Sequence, residues 1–322
     1  GYKAVVKRDV VRLVTPGTLT EDALLEARSH NFLAAYAQVR DTAALAWTDI
    51  STGAFHVMSV SGARLSAELA RLAPSELIVS ESAEPELRDL VSDLGISLTG
   101  VGRSSFDSTA AEKRLCSVFH VGTLDAFGTF TRAEIAAMGA LVSYLEITQK
   151  GKLPLLQTPQ RDSENRVVQI DAATRRNLEL TRALSGGRAG SLLAVMDRTV
   201  TPAGARLLEQ RLSSPSRDLT TILNRQDVVA RFFDQDQLAD DLRDALRRTP
   251  DLDRALSRLS LDRGGPRDLA AIRNALQQAE CITRLAGSAD LPDLAQRALS
   301  DLTGFDDLIA LLDAALIADV LG

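Results

Sequence analysis

Asp49, in the stretch TDISTG, has the side chain and the setting most suited to chemistry in this chain. It closes an alternating, strand-like run, and two-metal phosphoryl-transfer sites gather several carboxylates at one point on a sheet edge. Glu68, Glu81 and Asp107 are the acids available to join it, although Glu68 sits beside Ala67 and Leu69 in a helical pattern with no obvious partner. An aspartate that bonds its own turn backbone is the cheaper reading of Asp49. SGGRAGS (185–191) is the nearest imitation of a phosphate-cradling loop. Such a loop needs a lysine that reaches the phosphates. Here Arg188 stands in the wrong place, and no lysine follows Lys152. His30, His56 and His120 are scattered, and Cys116 and Cys281 lie far apart, so neither type has metal-ligand spacing. No nucleophile-elbow pattern accompanies them. The expectation is a chain without catalytic, cofactor or metal residues.

Bulk properties agree with a binding or mechanical role. The 322 residues suffice for two domains, with 45% hydrophobic and 25% charged residues, ordinary values for a soluble globular protein. No apolar run approaches the roughly 18–20 residues of a membrane span. Two distant cysteines suit a reducing, cytoplasmic compartment. The formal net charge of −6 argues against a bulk electrostatic grip on DNA but leaves room for a local basic strip. Lysine occurs only at 3, 7, 113, 150 and 152, so arginine supplies the other basic charge. The chain starts at Gly1 directly on a strand-like run, as if it were a piece of something larger.

The two halves follow different patterns. Residues 2–14 read as a strand and TPGT (15–18) as a type II turn with Pro16-Gly17 at its centre. A strand from about Asn31 to Val39 follows, and residues 44–60 alternate as a hairpin around Ser51-Thr52-Gly53. Helices at 61–74 and near 84–95 alternate with short strands in ELIVSE and ISLTGV, which predicts an α/β sheet domain. TAAEKRLCSVFH (109–120) is a further helix, with Ala111, Leu115 and Val118 on one stripe and Lys113, Arg114 and Ser117 on another face. From about Phe130 the strands vanish, beginning with a strong helix over 132–149. The rest is helical, including DAATRRNLELTRAL with Asp171 as cap and Leu178 facing a core. Arg175 and Arg176 read as helix-surface ion-pair partners rather than phosphate contacts. A stripe of Leu252, Leu256 and Leu259 ends at Gly264-Gly265-Pro266. The domain boundary falls near 151–165.

TVTPAGARLLEQRLSSP (199–215) carries marked helix-start punctuation and no residue suited to catalysis. Together with VVRLVTPGTLTEDALL (10–25), ALAWTDISTGAF (44–55), QIDAATRRNLEL (169–180), GSLLAVMDRTVTPAGARLLEQRLSSPSRD (190–218) and DLDRALSRLSLDRGGPRDLAAIRNAL (251–276), it resembles the MutS family of mismatch-recognition proteins. The motifs occur in family order over nearly the whole chain. The resemblance implies a multidomain α/β plus all-α architecture. Residues 1–14 would be the exit strand or linker of a mismatch-binding domain and 15–150 a ribonuclease-H-like connector. Residues 151–322 would be a helical core or lever domain, incomplete at its C-terminus. The implied role is to couple the ATPase to DNA grip and to offer a MutL-docking surface, with Lys113, Arg114 and Ser117 as docking candidates. Pro202, Gly204, Leu207, Leu208 and Leu212 would anchor the lever helix. The chain itself would not be an enzyme and would hold no cofactor. ATP and Mg would belong to the full-length protein, a DNA-dependent ATPase, as would mismatched double-stranded DNA and homodimerisation, and this chain would be a monomer. Two alternatives stay open: a ribonuclease-H-like metal-dependent nuclease with a helical accessory domain, and a recombination-type paralogue.

Overall fold

A computed structural model describes residues 10–163, 166–287 and 289–316. Strand β1 (Leu33–Val39) turns through Arg40 and Asp41 into β2 (Thr42–Asp49), and a four-residue turn leads to β3 (Ala54–Ser59). Arg40, at φ 54°, and Gly53, at φ 78°, supply the left-handed backbone these two turns need. Helix α1 (Gly62–Leu72) then carries the chain to β4 (Glu76–Ser80), and α2 (Glu84–Asp93) to β5 (Ser97–Val101). The sheet order is β5-β4-β1-β2-β3-β6, where β6 is Gln160–Arg161. The β1-β2-β3 pairs are antiparallel, whereas β1-β4, β4-β5 and β3-β6 are parallel.

Both faces of the sheet are covered. Leu33, Ala35, Ala37, Ala44 and Ala46 lie under α4 (Arg132–Thr148), which is buried almost all round. Alternate residues, Ala34, Tyr36, Leu45 and Trp47, face α1 and α2. The alanines let α4 sit close on the sheet. Helix α3 (Ser108–Phe119) presses on α4 from outside: a Cβ at Gly139 would lie 2.2 Å from the Ala111 Cβ, so only glycine fits at that crossing. Ala111 and Leu115 are fully buried there, and Val118 packs partly against the same cluster.

The second half is helical: α5 (Ala172–Asn177), α6 (Leu192–Met196), α7 (Pro202–Ser213), α8 (Leu219–Asp234), α9 (Asp236–Arg247), α10 (Leu252–Ser260), α11 (Pro266–Ala286), α12 (Asp293–Ser300) and α13 (Asp306–Ala315). Its apolar cluster is small, built on Ala255, Ile272, Leu276, Ile309 and Leu312. Helix α8 has no buried residue, and its Phe233 is 81% exposed.

Several sequence expectations need correction. Residues 10–14 form no strand, because their bonding goes elsewhere: Leu13 N–H donates to the Thr148 carbonyl at 2.7 Å, at the end of α4. Residues 2–9 of that expected strand lie outside the described residues. Pro16–Thr18 is a 3-10 turn rather than a type II turn. Gly17 lacks a positive φ and serves close approach instead, since a Cβ there would meet Leu33 Cδ1 at 2.5 Å. The strands do not end near Phe130: Gln160–Arg161 pairs with β3, a two-residue exposed strand too short to show alternation in the sequence. The helix from Asp171 stops at Asn177, with Glu179 left-handed at φ 46° and its carboxylate accepting Leu184 N–H at 2.6 Å. Leu178 is consequently 56% exposed, while Leu180 and Arg175 turn inward.

Candidate inter-domain joint

The polar residues that the structure brings together form a joint between the sheet and the helices. The segment 20–31, which feeds β1, is the strap of this joint. Buried Arg206, on α7, donates to the Ala27 carbonyl at 3.0 Å and grips Asp251 with two bonds of 2.7 and 2.9 Å. Arg254, on α10, donates to the carbonyls of Glu26 and Ser29 at 2.9 and 3.2 Å. In the opposite direction Arg28 leaves the strap to fork onto Asp197 at 2.8 and 2.7 Å and to donate to Thr199 Oγ1 at 2.6 Å. Ser257 Oγ donates to the Ile50 carbonyl at 2.5 Å, which fastens α10 to the β2–β3 turn. Arg263 reaches Thr20 and Gln149, and Arg258 bridges Asp22 and Asp268. A guanidinium suits this work because its fixed fork satisfies carboxylates and carbonyls without losing its charge.

Asp49 is the counter-charge beneath this joint. It is fully buried, and its oxygens accept Ser51 N–H at 3.0 Å, Ser51 Oγ–H at 2.7 Å and Asn31 N–H at 3.3 Å, with His30 Nδ1 at 2.7 Å. Burial opposes its charge, but the His30 bond and the Ser51 bonds win and hold the carboxyl below its ordinary range. Burial lowers the Arg254 guanidinium and Arg206 beside it adds to that, while Asp49 favours the charge on both arginines. In Arg206 burial is outweighed, chiefly by the Asp251 bond, and the group rises. Asp253 is raised by burial and by Asp251 and Asp49 nearby, against the pull of Arg206. Asp197 lies well below the usual carboxylate range: burial is overcome by the bonds from Arg28 and Thr199.

Asp49 therefore acts through its turn and the joint. Of the other acids considered with it, Glu68 is engaged with Arg64 and Arg71, Asp107 caps α3 through Ala110 N–H, and Glu81 is exposed after β4. Among the described residues no group of three or more His, Cys, Asp or Glu could hold a metal ion. A second buried carboxylate, Glu76, accepts from Thr15 Oγ1, Gly17 N–H, Thr99 Oγ1 and Tyr144 Oη at 2.5, 3.0, 2.7 and 2.7 Å. It locks the entry turn to β4, β5 and α4. The tyrosine is pushed up to about 12, by burial first and then by its bond to Glu76.

Of the residues proposed to anchor α7, Pro202 lies in the first turn and Gly204 donates its N–H to the capping Thr201 Oγ1 at 3.0 Å. Leu207 is 45% exposed and Leu208 and Leu212 are half-buried, so the leucine stripe is not the buried face. The buried residues are Ala205, Arg206 and Ser213. Helix α10 repeats the pattern with Arg254, Ala255 and Ser257. Hydrophobic periodicity missed these arginines because their partners, carbonyls of residues 26–29, are more than 170 positions away. Arg175 also departs from expectation: it is buried and, among the described residues, makes no ion pair and leaves its Nε and Nη1 without a partner. On α3, Lys113 and Ser117 are exposed, whereas Arg114 is held against Glu146 at 3.1 Å. In the 185–191 loop Gly186, Gly187 and Gly190 all take positive φ, and Arg188 pairs with Asp197.

This arrangement coincides with two family models, MutS domain II over residues 31–157 and MutS domain III over 173–321. The chain is 66% identical over 319 residues to the DNA mismatch repair protein MutS of Roseobacter denitrificans, covering 99% of this chain and 36% of the relative. It is 68% identical over 320 residues to that of Ruegeria pomeroyi and 60% over 319 to that of Paracoccus denitrificans, with the same coverage. The chain thus spans 36% of the length of these relatives. With both domain models matched in order and this identity along nearly its whole length, the chain belongs to the MutS family of DNA mismatch repair proteins.

Proposed function

We propose that this chain is the connector and lever of a mismatch repair protein, passing motion between an ATPase and the parts that grip mismatched DNA, which belong to the full-length protein. The observation that carries the reading is the reciprocal arginine interlock at the strap. Arg206 and Arg254 of the helices hold carbonyls of 26–29, and Arg28 of the strap holds Asp197 and Thr199. A rotation of α7 or α10 would have to carry β1 and the Asp49 turn with it. Contacts this specific, few and polar suit a joint that transmits motion better than a fused apolar core does. The sheet order β3-β2-β1-β4-β5, antiparallel then parallel, supports a ribonuclease-H-like ancestry for the connector. The engagement of Asp49, Glu68 and Asp107 in separate structural bonds disfavours the nuclease alternative. The mismatch-repair names of the relatives favour this role over that of a recombination-type paralogue.

The exposed face of α3 is the MutL-docking surface in this reading, with Lys113 and Ser117 as its accessible members and Arg114 at its edge. ATP and Mg, the homodimer contacts and a cytoplasmic location belong to the same proposal for the full-length protein, as does the uncovered apolar face of α8, which further segments would pack. The test is a full-length family member carrying the equivalent of Arg206→Met. It should still bind a mismatch but lose the ATP dependence of MutL recruitment. Unaltered ATP-dependent recruitment would remove the lever reading.

A further inference from the structure

The arginines of the joint are paired, but those of a neighbouring groove are not. Between the Arg166–Val167 segment and the corner joining α7 to α8 lies a groove of about 770 Å³ lined by Arg166, Arg217 and Arg225 with Ser214, Ser216 and one acid, Asp218. It runs on beside α1 and β6, where Arg211 lines the adjoining space. Val167 and Ser216 form an antiparallel bridge, and Arg217 N–H donates to the Arg166 carbonyl at 2.9 Å, so Arg166 and Arg217 stand on adjacent segments. Arg225, on α8, adds a further guanidinium to the same groove. The side chains of Arg166, Arg211, Arg217 and Arg225 make no hydrogen bond or ion pair with another described residue. In a chain of net charge −6, four such arginines lie along one continuous groove.

The acids nearby cancel this charge only in part. Asp218 lines the groove and caps α8, accepting Thr221 N–H at 2.8 Å and Thr221 Oγ1–H at 2.5 Å, and it feels the charge of Arg166, one carboxylate beside four guanidiniums. Glu68 is taken by Arg64 and Arg71, and Asp162 faces His56 at 3.3 Å. Two hydroxyls are also poised to donate. Ser214 Oγ accepts from Arg71 at 3.0 Å and Ser216 Oγ accepts Asp218 N–H at 3.2 Å, which leaves each hydroxyl hydrogen free to turn into the groove.

We infer that this groove binds phosphate groups, and specifically the sugar-phosphate backbone of a nucleic-acid duplex. Guanidinium forks with hydroxyl donors are the donor set for phosphate oxygens. Four guanidiniums strung along an open groove match a chain of anions better than a single one. The choice of a nucleic acid as the source rests on the mismatch-repair reading. The site itself rests on the unpaired arginines and needs no mismatch, ATPase or lever, so its failure would leave the lever reading untouched.

The test is fluorescence anisotropy of a labelled, fully matched duplex titrated with this chain over a salt series. Expected is a log–log salt slope of about −3 to −4, from about 0.9 per neutralised phosphate. The Arg217→Gln/Arg225→Gln variant should bind more weakly, with a slope shallower by about 2, one per arginine, and an unchanged melting temperature. Arg248→Gln/Arg267→Gln, remote and exposed, should change neither. A parent slope no steeper than about −1, or equal slopes for parent and groove variant, would overturn the inference. Inorganic phosphate competing as well as the duplex at equal phosphate concentration would also overturn it, by reducing the site to a single-anion pocket. So would a poly-glutamate peptide that binds where the duplex does not, which would assign the groove to an acidic protein segment.

Discussion

Replacing Arg206 with methionine removes the charge that three acceptors share while keeping an unbranched side chain of similar reach. The Arg206 side chain is 2% exposed and its partner Asp251 is 18% exposed, so little water can take the place of the lost bonds. Breaking one side of such a pair costs about 3–5 kcal/mol, because the remaining carboxylate and the Ala27 carbonyl stay desolvated. At about 2 °C per kcal/mol for a chain of this size, the melting temperature should fall by about 6–10 °C. Urea unfolding of the parent, Arg206→Met, Asp251→Asn and the double variant would measure it. The double variant should be more stable than the sum of the singles by about 1.5–3 kcal/mol, the coupling of a charged hydrogen-bonded pair. Hydrogen exchange at residues 26–31 should accelerate in the single variant while β1 and β2 keep their protection. A loss below about 1 kcal/mol, or strict additivity of the two singles, would refute the claim that this pair closes the joint.

Asp49→Asn should weaken the acid dependence of stability. Its folded carboxyl lies below the ordinary value, so its contribution is present above about pH 4 and is lost as pH falls through the folded value; an acid limb as steep in the variant as in the parent would contradict this. The same variant should leave any Mg-dependent nuclease signal unchanged, whereas loss of a parent cleavage activity would revive the nuclease alternative. Tyr144, raised to about 12, contributes stability below about pH 10 that is lost as pH rises through its folded value; absorbance titration showing ionisation near 10 in the folded protein would contradict its bond to Glu76. Lys113→Glu should weaken MutL binding with the melting temperature unchanged, and it is a cleaner probe than Arg114→Glu, which also breaks the pair with Glu146. Calorimetry should find no ATP binding, and micromolar binding would show that a nucleotide site had been overlooked.

The local chemistry of this chain was legible residue by residue. Alternation marked the β2–β3 hairpin, short apolar runs marked β4 and β5, Asp171 marked a helix start, and Gly53 marked a turn. These signals are short-range, set by backbone sterics and side-chain period, so sequence alone carries them. The motif series also identified the family from sequence. Tertiary structure decided which polar residues matter. Arg206 and Arg254 read as solvated helix positions until the strap, some 180 and 225 residues earlier, is laid against them. Asp49 read as a turn residue or a catalytic acid, and only packing made it the counter-charge of two buried arginines. Gly17 looked like a turn former and proved to be a contact point with Leu33. The leucines of α7 looked like its anchor, yet the helix is held through Arg206. The physical reason is common to all four. A long-range hydrogen bond or close approach leaves no periodic trace, because its partner's position along the chain is set by topology and not by the repeat of the element that carries it.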